Sequence, residues 1–141
     1  MIANDLQIGD WVCAAGPVIN GEERLTPPMR VVAIGETWAH ILIDPDAGDP
    51  DEEDIKDIRP IPLTTDILLA NGWKVIPLNR FRMEYRKCGN ITAAVEIEIH
   101  DNVSIYTDVW TMGHSLRLST PYVHKLQHAL RLAGIYKDIK L

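Results

Sequence analysis

The sequence predicts an α+β chain, an N-terminal small SH3-like β-barrel lobe followed by an antiparallel sheet packed by a C-terminal α-helix. Three observations carry this expectation. Short β-branched runs separated by turn residues fill the first sixty positions, period-two alternation runs from Phe81 to Thr107, and one apolar stripe of helical spacing closes at Gly134. A chain of 141 residues with 46% hydrophobic content is long enough to bury most of the surface its unfolded form exposes. Its 24% charged fraction belongs to a folding rather than a disordered composition.

In the first lobe, Leu6 and Ile8 precede Gly9-Asp10, and Trp11-Val12 follow it, so the Gly-Asp pair marks a bend. Gly16-Pro17 and Asn20-Gly21 are turn signals, and Met29 to Ile34 and Trp38 to Ile43 read as strands on either side of Gly35-Glu36. Trp11 and Trp38, inside strand patterns, are expected in the core. Ile55 and Ile58 are placed to lay a last strand or single turn back onto that core. Pro60 and Pro62 forbid a central strand and stiffen the stretch from Arg59 to Leu63, which reads as a connector between 1–59 and 60–141. Whether these lobes share one core is left open.

Beyond the connector, Thr64 or Thr65 caps a short helix over Asp66 to Ala70, stopped by Asn71-Gly72 and docked through Ile67, Leu68 and Trp73. Phe81, Met83 and Tyr85 alternate with Arg80, Arg82, Glu84 and Arg86, and Ala93, Val95, Ile97 and Ile99 alternate with Glu96 and Glu98, which predicts a meander with one wet face. Thr120 as cap and Pro121 as first helical residue open the last helix, whose apolar face holds Tyr122, Val123, Leu126, Ala129, Leu130 and Ala133. Ile135 is expected to fold back on it past Gly134.

Charge is unevenly spread. The net charge is −6, yet residues 1–72 hold 4 basic and 14 acidic groups whereas 73–141 hold 10 and 6, so an anionic partner meets the second half first. Seven acidic residues lie in Asp44 to Asp54 without a Lys or Arg. As a calcium loop begun at Asp44 this run fails, because Gly48 replaces a ligand, Asp49 the turn glycine and Ile55 the bidentate glutamate. A solvated loop is expected there. No run nears the roughly 18 apolar residues of a membrane span, and the N-terminus lacks the basic and apolar regions of a leader, so a cytoplasmic protein with no membrane contact is expected.

Few residues fall in patterns that carry chemistry. Cys13 and Cys88 lie far apart without a CxxC, and read as reduced core thiols. His124 and His128 have the spacing to share a metal but fall opposite the apolar helix face, so they are expected in solvent with no metal site. His40, His100 and His114 are scattered. No nucleophile elbow, phosphate loop, dinucleotide fingerprint or zinc-hydrolase motif occurs, so no catalytic residue and no cofactor is expected. Two candidate surfaces are left. One is the stretch around Trp110, Met112 and His114, which has no period and fits an exposed binding loop. The other is Arg80, Arg82 and Arg86, interleaved with aromatics as on a nucleic-acid platform, although alternation sends the aromatics to the core.

Two parts of the chain carry a family resemblance. Pro60-Ile61-Pro62-Leu63-Thr64 with Ile67-Leu68 and Asn71-Gly72-Trp73, and Tyr122 to Leu130 with Gly134-Ile135 and 137–141, resemble small uncharacterised proteins encoded by phages, prophages and mobile elements of anaerobic gut bacteria. Leu6-x-Ile8-Gly9-Asp10-Trp11-Val12 fits the same family's start, whereas 74–120 matches poorly. The resemblance brings no activity. It implies a bacterial cytoplasmic setting and an accessory role, such as binding a host or phage macromolecule. The expected function is therefore a non-enzymatic interaction module for a protein partner or a second copy, with a nucleic-acid-associated protein as the alternative and a metal-dependent enzyme a distant third.

Overall fold

Asn20-Gly21 sets the first hairpin in the computed structural model. The structure describes residues 3–43, 48–77, 80–87, 90–99, 105–109, 114–118, 122–132 and 134–141, with backbone alone over 85–87, 90–95, 98–99, 105–109 and 114–118. Both turn residues have positive φ, 53° and 78°, the twist that suits a two-residue hairpin. From it β1 (Trp11–Ile19) and β2 (Glu22–Leu25) run antiparallel, Ile19 opposite Glu22. Thr26 carries the pairing to Pro27-Pro28. Its N–H donates to the Ala14 carbonyl at 3.0 Å and its Oγ1 accepts from the Ala14 N–H at 2.8 Å. The two prolines then end the strand for want of donors.

β3 (Met29–Ile34) takes up the base of β1, β4 (Trp38–Leu42) adds to β3, and β5 (Asp51–Asp54) adds to β4. A 3-10 turn over Ile55–Asp57 leads into β6 (Ile58–Pro60), which returns to β1 with Ile58 opposite Ala14. Alternation puts Val12, Ala14, Met29, Val31, Ala39 and Ile41 on one face, where Leu6, Ile55 and Ile58 complete a buried cluster. Gly9, at φ 92°, makes the expected bend. Buried Asp10 closes it by accepting from the Gln7 N–H at 2.7 Å. Among the described residues no ladder joins β5 to β2 or β6, so no pairing closes this sheet into a barrel.

The chain divides into two compact units, Met1–Ile61 and Pro62–Leu141. In the second, α1 (Thr65–Ala70) is capped by Thr64, whose Oγ1 accepts from the Ile67 N–H at 3.3 Å. Gly72, at φ 83°, lets Trp73 return its N–H to the Leu68 carbonyl. Leu68 and Trp73 are buried as expected. A five-stranded antiparallel meander follows: β7 (Lys74–Ile76), β8 (Arg80–Lys87), β9 (Asn90–Ile99), β10 (Ile105–Val109) and β11 (His114–Leu118). Phe81, Met83 and Ile97 are buried, as alternation requires. The last helix, α2 (Val123–Leu132), packs beside β11 and ends at Gly134, φ 75°, where the Ile135 N–H reaches the Leu130 carbonyl at 2.8 Å and Ile135 is buried.

Several expectations are corrected. The acidic run is not wholly a loop, because Asp51 to Asp54 pairs with β4. Arg59 to Leu63 contains the division between the two units, as a connector would, but Arg59 and Pro60 also lie in an edge strand, and Ile61 and Leu63 are buried. Trp11 and Trp38 are half-buried on the face opposite the core, since Val12 and Ala39 take the inward positions. His124 is buried, at 2% exposure, because α2 is covered on His124 and Gln127 as well as on Val123, Leu126, Ala129 and Leu130. Apolar periodicity alone shows one covered face and cannot show a second, polar one.

Candidate interaction surface

The two surfaces marked by sequence fare differently. Trp110 and Met112 lie outside the described residues, and His114 is described only as backbone, opening β11 opposite Val109. Arg86 stands opposite Ile91 on β8, again as backbone. Arg80 and Arg82 are described in full, and they are not offered to solvent as a phosphate clamp. Glu96 on β9 stands opposite Arg82, accepts from its Nη1 at 2.7 Å through Oε1, and accepts from Arg80 Nη2 through Oε2. Arg82 Nε also donates to Glu84 at 3.3 Å. Burial pushes the Glu96 carboxyl up, but hydrogen bonds from Arg82 and Arg80 outweigh it and the net lies below the ordinary carboxylate range. Two of the three arginines are thus spent on holding β8 to β9.

A depression of about 200 Å³ beside this network, lined by Gly72, Lys74, Arg82, Met83 and Glu84, is smaller than the usual small-molecule site. Burial pushes the Cys13 thiol up, away from reactivity. Cys88 and His100 lie outside the described residues. His124 stacks on Tyr122 at 5.9 Å between ring centres and meets His128 edge-on at 5.6 Å. Among the described residues no three His, Cys, Asp or Glu side chains gather to hold a metal ion.

The first unit presents the better-built surface, and sequence reasoning missed it by assigning Trp38 to the core. The Gly35 N–H donates to the Trp38 carbonyl at 2.8 Å, closing a tight turn, and the indole folds over Gly35 so closely that a Cβ there would overlap the ring. Trp38 and His40 share the outer face of β4, their rings 4.7 Å apart. On β5, Glu52 stands opposite His40 and holds its Nε2 at 3.2 Å, and Asp54 stands opposite Trp38. Further along the sheet, Arg30 lies 4.0 Å above the Trp11 ring and donates to the Gly9 carbonyl at 2.7 Å. The free end of the β1–β2 hairpin exposes Val18, Ile19 and Leu25. A signal was present in sequence. Ala39 and Ile41 are the apolar alternates of β4, which puts Trp38 and His40 outside.

No protein-family profile, no curated protein and no solved structure matches the chain. No helix among the described residues is long and apolar enough to cross a membrane.

Proposed function

We propose that this chain is a non-enzymatic protein-interaction module, an accessory factor of phage or mobile-element origin acting in the bacterial cytoplasm, whose first unit is an SH3-like barrel and the binding lobe. The barrel reading draws on the return of β6 to β1 through a 3-10 turn, which sets the last strand of the unit beside its first. The observation that carries the function is the Trp38–His40 ring pair, held on the outer face by the Gly35 turn and by Glu52. Aromatic side chains fixed on a surface and framed by polar groups are the usual anchors of protein recognition. The nucleic-acid alternative is weakened by the engagement of Arg80 and Arg82 with Glu96.

Immobilised chain exposed to extract of the source cell provides the test. Wild-type protein retains a protein partner that both Trp38→Ser and Glu52→Lys release, while circular dichroism shows both variants folded. Capture that ignores both substitutions overturns the reading. So does captured material that is nuclease-sensitive and lost between about 50 and 200 mM salt, the mark of phosphate-driven binding.

A further inference from the structure

Building on the first unit as an interaction lobe, we propose that the outer edge of β5 accepts a basic, extended segment of the partner protein as an added strand. Among the described residues β5 pairs only with β4, so its other side carries unmatched backbone donors and acceptors. An edge of this kind is a template for one more strand, and side-chain chemistry decides which strand is admitted.

The chemistry here is one-sided. Residues 48–54 hold five carboxylates and no cation. Lys56 takes up Asp54 at 3.0 Å and His40 takes up Glu52, whereas Asp49, Asp51 and Glu53 make no ion pair with any described residue. A second copy of β5 would set carboxylate against carboxylate, and a nucleic-acid backbone would do the same. A strand with Lys or Arg at alternate positions sets all its cations on one face, and on the outer face they meet Glu52 and Asp54, while Asp51 and Glu53 on the other face add to the negative field. On the outer face, residues opposite Glu52 and Asp54 fall in the rows of His40 and Trp38, where the apolar stem of a long cation can lie along the rings while its head meets the carboxylates. Charge on an edge strand also serves simply to keep copies apart. That role accounts for the acids but not for an aromatic pair in the same rows.

The full-length chain, labelled with ¹⁵N, is titrated at near-physiological salt with a synthetic peptide of alternating Arg and Thr. A second peptide of equal charge with Pro in place of Thr removes alternate backbone donors. The expected result is shifts confined to Asp51–Asp54 amides and the Trp38 indole N–H, slowed exchange of the β5 amides, and binding at least about tenfold weaker for the proline peptide. Glu52→Lys and Asp54→Lys each weaken the first peptide at least about tenfold. Equal binding of both peptides, shifts centred elsewhere, or no binding at about 1 mM peptide overturns the proposal. Trp38-dependent capture that persists without peptide binding removes only the basic strand as the partner's form; loss of both removes the interaction module too.

Discussion

Gly35 is the residue on which the outer surface turns. Its hydrogen atom leaves room for the Trp38 indole, and Gly35→Ala forces the ring away. The expected cost is about 1–3 kcal/mol, the range of an overpacked contact, read as a lowered denaturant midpoint together with a moved Trp38 indole signal. Glu96 is the corresponding residue of the second unit. Its folded carboxyl titrates below the ordinary value of about 4.3, so its contribution is complete above that pH and fades as pH falls through the depressed folded value. Glu96→Gln removes this acid dependence and costs about 1–2 kcal/mol, allowing for the partly exposed arginines. Urea midpoints measured from about pH 3 to about pH 6, across the carboxylate range, check it. A variant with the wild-type pH profile refutes the assignment.

At the scale of elements, the short helix α1 is held by its ends. Thr64→Ala removes the cap of α1 and is expected to cost about 1 kcal/mol in thermal or denaturant unfolding. The other end does more. The Asn71 side chain accepts from the Lys140 N–H at 2.7 Å and donates to the Lys140 carbonyl at 2.8 Å, and it also donates to Ile67, so one amide ties the C-terminal segment to the helix. Asn71→Ala is expected to cost about 1–2 kcal/mol and to remove exchange protection at the Lys140 amide; unchanged protection sinks the idea. Local chemistry made α1 legible, since cap, stop glycine and docking residues lie within ten positions. It hid β5, because acid-rich runs have poor strand propensity. β5 forms because β4 offers a partner edge, which is information held elsewhere in the chain.

For the molecule as a whole, the division between Ile61 and Pro62 has a consequence. The buried cluster of Leu6, Val12, Met29, Val31, Ile41, Ile55 and Ile58 belongs entirely to the first unit. A fragment of residues 1–61 is therefore expected to fold by itself, giving dispersed amide signals and a cooperative melt, although so small a core leaves it marginal. An unfolded fragment would mean that the two units depend on one core.

Sequence by itself determined the mixed class, the turn at Asn20-Gly21, the alternation that buries Phe81, Met83 and Ile97, and the glycine stop of α2. Each is a matter of local sterics or of periodicity along one segment. Tertiary structure alone decided that Glu52 holds His40 beside Trp38, that Glu96 binds both arginines, that His124 is buried, and that an acidic segment becomes an edge strand. Those outcomes depend on which segment lies alongside, and a single segment's pattern holds no record of its neighbour.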